Sequence, residues 1–150
     1  MKPLYIFDLD GTLALIEHRA HLVRCENPNW KAFFAACVDD QPNIPVINTF
    51  HDLLSGGADV QIWTGRSSEV MAQTQQWLMN HIGDAAEDVQ LLMRIEGDYT
   101  PDDVLKAQWY ENMCDFDKRR LVAVFDDRQK VVEIWRSMGV ACFQVAPGDF

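Results

Sequence analysis

The segment Leu4-Tyr5-Ile6-Phe7-Asp8-Leu9-Asp10-Gly11-Thr12 decides the fold, because a short apolar run breaks abruptly into acids and a glycine. An unbroken apolar run bounded by turn residues reads as a strand buried on both faces, as in parallel sheets, and it delivers Asp8 at its carboxyl end. The pattern recurs further along the chain. Val60-Gln61-Ile62-Trp63 precedes Thr64-Gly65-Arg66, and Val89-Gln90-Leu91-Leu92-Met93 is a third run. Leu121-Val122-Ala123-Val124-Phe125 precedes Asp126-Asp127, and Ala141-Cys142-Phe143-Gln144-Val145 closes the series. Helical spacing fills the gaps at 46–54, 67–81, 101–113 and 129–138, with Ser67 as a capped start and Gly139 as a stop. Strands alternating with helices of this length imply parallel pairing through right-handed crossovers, so the expected fold is α/β, a three-layer Rossmann-like sandwich around a central parallel sheet. Residues 14–45 break the alternation. The aromatic spacing of Asn29-Trp30-Lys31-Ala32-Phe33-Phe34-Ala35-Ala36-Cys37 is helical and predicts a small helical lid inserted after the first strand.

The chain has 150 residues, 48% of them hydrophobic, which suits a single domain over 1–150 with residues 14–45 as its lid. A formal net charge of -10 opposes sequence-independent coating of a duplex, while leaving room for recognition of one strand end or nucleotide. Cys25, Cys37, Cys114 and Cys142 form no C-x-x-C pair, and no signal peptide or run of roughly 18 apolar residues is present, so the expectation is a cytoplasmic protein with no membrane contact.

Ligands of open parallel sheets bind beyond the carboxyl ends of the strands. That edge collects Asp8, Asp10, Thr64, Arg66, Asp126 and Asp127, with Lys106 on the preceding helix. Four carboxylates gathered in one place repel one another unless a cation neutralises them, and an all-oxygen donor set points to Mg²⁺. Asp8 is then placed to attack phosphorus, screened by the cation and Lys106. Asp10 is placed as general acid and later general base, a role that calls for a raised pKa, towards which nearby carboxylates and partial burial push while the cation pushes back. Gly11 suits a close backbone approach to phosphate, Thr12 and Thr64 offer hydroxyl donors, and Arg66 after Gly65 offers a planar fork for phosphate or a neighbouring carboxylate. His18 and His21 read as lid histidines, and Trp77, Trp109 and Trp135 as packing residues. Trp30 is either lid packing or a base-stacking platform.

Asp8-Leu9-Asp10-Gly11-Thr12, Thr64, Lys106 and Asp126-Asp127 occur in the order of the four motifs of the haloacid dehalogenase-like phosphohydrolases, and the chain resembles that family over nearly its whole length. The resemblance implies a metal held by the nucleophile Asp8, the backbone carbonyl of Asp10 and the acidic pair, with Asp127 favoured as direct ligand. From about residue 58 onward, Thr64-Gly65-Arg66, Asp102-Asp103-Val104-Leu105-Lys106, Asp126-Asp127-Arg128, Val132-Glu133-Ile134-Trp135-Arg136 and Gln144-Val145-Ala146-Pro147-Gly148-Asp149-Phe150 look like the 3′-phosphatase half of phage-type polynucleotide kinase-phosphatase. This implies a nucleic-acid 3′ end or nucleoside 3′-phosphate as substrate, Arg19 and Arg66 as phosphate-handling residues, and a phage-encoded origin. No G-x-x-x-x-G-K-[ST] phosphate loop is present, so any kinase would be a separate partner, and the 14–45 insertion is longer than in that relative. The competing readings are a nucleoside monophosphatase or small phosphometabolite phosphatase with the same residues, and a noncatalytic binding module that kept the fold.

Overall fold

Strands buried on both faces need helices on both faces, and the apolar runs are arranged accordingly. The computed structural model describes residues 1–148, so Asp149 and Phe150 of the C-terminal motif lie outside the described residues. The strands β1 (Leu4–Phe7), β4 (Asp59–Ser67), β5 (Gln90–Arg94), β6 (Leu121–Asp126) and β7 (Cys142–Gln144) form one sheet in the order β5-β4-β1-β6-β7. Every pairing in it is parallel. The chain winds from β1 outward through β4 and β5, then returns to the other side of β1 for β6 and β7. The change of winding direction leaves the crevice beside the carboxyl end of β1, where Asp8 stands.

Alternation along β1 divides the core. Phe7 faces α3 (Ile44–Ser55) and α4 (Met71–His81), packing with Ile47, Phe50, Trp77 and Leu78. Its neighbour Ile6 faces the opposite way, towards Val131, Val132 and Trp135 of α7 (Gln129–Ser137), with Trp109 of α5 (Asp102–Asn112) packed against that cluster. Three layers follow from this division, as the sequence pattern predicts, and Trp77, Trp109 and Trp135 all serve as packing residues.

Two boundaries differ from expectation. The second strand continues to Ser67, and Ser67 Oγ accepts the Glu69 N–H at 3.3 Å to cap a single 3₁₀ turn before α4 begins at Met71. A short helix, α6 (Asp115–Arg120), precedes β6 directly; its acids lie in the first turn and its bases in the last, matching the helix dipole. Gly139, at φ 80°, ends α7 as expected.

The 14–45 segment is tied at its base by a feature the sequence did not announce. β2 (Ala14–Leu15) and β3 (Gln41–Pro42) pair antiparallel, Ala14 opposite Pro42 and Leu15 opposite Gln41. Between them, α1 (Glu17–Ala20) and α2 (Trp30–Ala35) enclose a small core of Ile16, Val23, Phe33, Phe34 and Cys37, which rests on Val70 and Met93 of the main body. No helix among the described residues is long and apolar enough to cross a membrane.

Phe50 is fully buried and meets Phe7 edge-on at 5.3 Å between ring centroids. Phe50→Ala is expected to destabilise the chain by about 3–5 kcal/mol, read from the shift of its denaturant midpoint.

Candidate active site

Asp8 leaves β1 with its backbone N–H donating to the Phe125 carbonyl at 2.9 Å, so its position is fixed by the neighbouring strand. Lys106, carried by α5 and 1% exposed, donates to Asp8 Oδ1 at 2.7 Å and to Asp126 Oδ2 at 2.8 Å. Asp126 Oδ1 in turn accepts the backbone N–H groups of Asp127 at 2.9 Å and Arg128 at 3.1 Å, which orients the acidic pair. The Thr12 hydroxyl is buried between Asp8 Oδ2 and Asp127 Oδ1, at 3.4 and 3.5 Å.

The glycines of both motifs are explained by space. A Cβ on Gly11, whose φ is 80°, would stand 2.0 Å from Asp127 Oδ2, and one on Gly65 would stand 2.1 Å from Asp102 Oδ1. The Gly11 N–H donates to the Ala14 carbonyl at 2.8 Å, so it closes the turn rather than presenting itself to a phosphate. Thr64 is fully buried, and its hydroxyl accepts the Arg66 N–H at 3.1 Å.

Asp10 departs from the expected cluster. Its carboxylate turns away from the other three and accepts from Arg66 Nε at 2.8 Å and Arg19 Nη2 at 2.7 Å. Both arginines also hold Asp40, a buried residue from the end of the lid. Arg19 donates to its two oxygens at 2.7 and 2.6 Å, and Arg66 Nη2 donates to Oδ2 at 2.9 Å. His18 Nε2 lies 2.6 Å from Asp40 Oδ1, and Trp77 Nε1 donates to the Asp40 carbonyl at 2.8 Å. Arg19 stacks over the Phe33 ring at 4.2 Å, and Arg66 reaches the Thr74 hydroxyl at 3.2 Å. The resemblance implied phosphate contacts for Arg19 and Arg66, but both are buried and engaged with carboxylates, an option left open only for Arg66.

The site thus separates into two electrostatic halves. Asp10 and Asp40 carry the same charge as Arg19 and Arg66 carry in the opposite sense. Burial acts to raise the Asp10 pKa, but Arg66 and Arg19 outweigh it and hold the carboxyl below the ordinary range, reversing the push expected from carboxylate neighbours. In the other half, among the described residues, Lys106 bridges Asp8 and Asp126 beside Asp127 and also lies 3.8 Å from Asp102, which Arg94 and Arg128 approach to 3.7 Å. Burial and the Asp126 charge raise Asp8 well above the ordinary value, and burial together with Asp126 pushes Asp127 up to about 7. Burial raises Asp126 as well, against the pull of Lys106.

This crowding of carboxylates is the test of whether the residues suit a divalent cation, and they do. Asp8, Asp126 and Asp127 offer buried carboxylate oxygens that all lie within 4.8 Å of one another, a hard, oxygen-only donor set. A cavity of about 430 Å³ opens onto Asp8, Asp10, Gly65 and Asp127.

Residues 2–150 match the family of the polynucleotide kinase PNKP phosphatase domain. The chain belongs to this family. It is therefore a phosphatase domain of the haloacid dehalogenase-like kind. The domain is 28% identical over 133 residues to a putative bifunctional polynucleotide kinase/RNA ligase of Autographa californica nuclear polyhedrosis virus, covering 89% of this chain and 18% of that one. Its fold superposes on a chain of the Pnkp1/Rnl/Hen1 complex with a TM-score of 0.80 and 28% identity, over 99% of this chain and 48% of the other. The class C acid phosphatase of Bacillus anthracis with tungstate bound shares the fold at a TM-score of 0.62, with 17% identity over 87% of this chain and 53% of that one. The phosphatase domain spans less than half the length of the first two.

Two residues of the site carry no motif. Asp40 has no local signal, although two buried arginines demand carboxylates and only a survey of the lid would have found one. Arg94 ends β5 at the same sheet edge as Asp8, which is the signal that was passed over. Its Nε donates to the Gly65 carbonyl at 2.8 Å and its Nη1 to the Asp98 and Thr100 carbonyls at 3.2 and 2.5 Å.

Removing Asp40 would leave Arg19 and Arg66 under-compensated in the interior. Asp40→Ala is expected to cost about 3–5 kcal/mol in unfolding free energy, measured by denaturant titration. A change below about 1 kcal/mol would show that water reaches these arginines.

Proposed function

We propose that this phosphatase domain is a magnesium-dependent phosphomonoesterase that works through an aspartyl-phosphate on Asp8 and acts on the 3′ phosphate of a nucleic-acid end or nucleotide. The observation that carries the chemistry is the buried Asp8 carboxylate, held by Lys106 in a cluster with Asp126 and Asp127 at the floor of an open cavity.

In the first half-reaction an Asp8 oxygen forms a bond to phosphorus while the ester P–O bond breaks, and the departing oxygen takes a proton from the protonated fraction of Asp10, a small one because Arg66 and Arg19 hold its carboxyl below the ordinary range. In the second, Asp10 takes a proton from water, whose oxygen attacks the same phosphorus and releases Asp8 and inorganic phosphate. Arg19 and Arg66 fix the direction of the Asp10 carboxylate and favour its ionised form, which suits the hydrolytic half. Lys106 offsets the repulsion between Asp8 and the incoming dianion. The Thr12 hydroxyl lies against Asp8, the resemblance assigns the Thr64 hydroxyl to the phosphoryl group, and Gly65 borders the cavity. Asp8, Asp126 and Asp127 would hold the magnesium ion, with the backbone carbonyl of Asp10 as the further ligand suggested by resemblance. When bound, the ion supplies charge neutralisation at the phosphoryl group.

The 3′-end assignment is supported by the family match across almost the whole chain and by the viral relative, whose own name couples polynucleotide kinase to RNA ligase. Its test is the ranking of kcat/KM on a 3′-phosphorylated oligonucleotide, its 5′-phosphorylated counterpart, and free 3′ and 5′ nucleotides. The 3′-phosphorylated substrates are expected to lead; a lead for the 5′ nucleotide would move the assignment to a nucleoside monophosphatase with the aspartate chemistry intact.

Asp8→Asn is expected to abolish turnover while the unfolding midpoint stays at or above that of the wild type, because the amide is a poor nucleophile and adds no charge to the cluster. Substantial turnover in that variant would exclude the aspartyl-phosphate. EDTA is expected to silence the enzyme and added Mg²⁺ to restore it, as followed by phosphate release.

A further inference from the structure

Tyr99 is 89% exposed and Trp30 is 40% exposed, yet both border the cavity that opens onto Asp8. No core cluster includes the Tyr99 ring, and the Trp30 ring, though it rests on Phe33 and Phe34, keeps two-fifths of its surface exposed. The backbone around Tyr99 is nevertheless held from within. Arg94 donates to the carbonyls on both sides of it, at Asp98 and Thr100, and ties them to Gly65 of β4. Asp98 Oδ1 accepts the Thr100 N–H at 2.9 Å and its hydroxyl at 2.6 Å, and Gly97, at φ 85°, turns the chain ahead of it. An exposed aromatic on a loop fixed to a catalytic strand is preorganised for a ligand. Trp30 is comparably supported: Asn29 Oδ1 accepts the Ala32 N–H at 3.1 Å to start α2, and the indole rests against Phe33 and Phe34, with centroids at 5.7 and 6.0 Å.

The charge around the cavity makes stacking the contact that matters. Lys31, Arg128 and Lys130 border it, but Glu69, Glu96 and Asp102 border it too, so cations cannot by themselves hold a polyanion there. Aromatic faces bind unstacked bases whatever the surrounding charge.

We infer that Tyr99 and Trp30 form a stacking clamp for the terminal bases of a single nucleic-acid strand whose 3′ phosphate reaches Asp8. This clamp rests on the 3′-end assignment above. It makes Tyr99 a specificity residue, with binding energy drawn from the base and not from the phosphate.

The experiment compares kcat/KM for wild type, Tyr99→Ala and Trp30→Ala on three substrates: a 3′-phosphorylated oligonucleotide, the same strand with abasic terminal nucleotides, and glycerol 2-phosphate. Tyr99→Ala is expected to lose roughly 5- to 150-fold on the full strand, with Trp30→Ala falling in the same range. Neither variant should differ from wild type on the abasic strand or on glycerol 2-phosphate, Tyr99→Phe should restore the full-strand rate, and the thermal midpoint of Tyr99→Ala should be unchanged. A Tyr99→Ala enzyme within about twofold of wild type on the full strand, or one that loses equally on all three substrates, overturns the clamp. If wild type prefers the 3′-phosphorylated strand to its 5′-phosphorylated counterpart and Tyr99→Ala leaves its rate unchanged, only the clamp falls. If wild type shows no such preference, the 3′-end assignment falls and the clamp goes with it.

Discussion

The site depends on an uneven sharing of buried charge. Arg19 and Arg66 pair with Asp10 and Asp40, while among the described residues Lys106 is set against Asp8, Asp126 and Asp127, with Asp102 a little further off. Like charges in a low-dielectric interior cannot all persist without compensation, so the second half is built around an excess of carboxylates. That excess lies at Asp8, the proposed nucleophile. The balanced half lies at the proposed proton carrier, where a fixed carboxylate direction matters more than affinity for a cation. Two aspartates separated by a single leucine are thereby given opposite environments by the partners the fold brings to them.

The same sharing joins the lid to the sheet. Arg19 and Asp40 both belong to the 14–45 segment, whereas Asp10 follows β1 and Arg66 lies at the end of β4 in the parallel sheet. The lid is therefore seated through the group proposed to move the proton, and a lid packed wrongly would misdirect the Asp10 carboxylate before it affected anything else. The aromatic rim is anchored by a different route, since Trp30 sits on the lid and Tyr99 on the loop that Arg94 ties to Gly65.

Much of this was legible in the sequence because each reading needed only neighbours. The apolar runs gave the strands and their burial, and the placement of Asp8, Thr64 and Asp126-Asp127 directly after such runs put them on one edge. Lys106 needed the family pattern as well. What escaped required distant partners. Asp40 is separated from Arg66 by a helix and a strand, and nothing around it distinguishes it from a surface acid. The carboxylate direction of Asp10 depends on those same arginines. β2 and β3 span two residues each, too short for any alternation to register. α6 was hidden by its charged composition and by running straight into β6.

The antiparallel pairing of Ala14–Leu15 with Gln41–Pro42 brings the lid's exit and return points together. The intervening stretch is thus a closed excursion from a fixed gate, and lengthening such a loop costs only about 0.6 kcal/mol for each doubling. Descendants of this fold can exchange the excursion for a longer or shorter one without disturbing the sheet, provided an arginine follows the gate and an acid precedes the return. The sheet edge that carries Asp8 can in this way stay constant while the part of the cavity wall that carries Trp30 varies with whatever is threaded between two short ribbons.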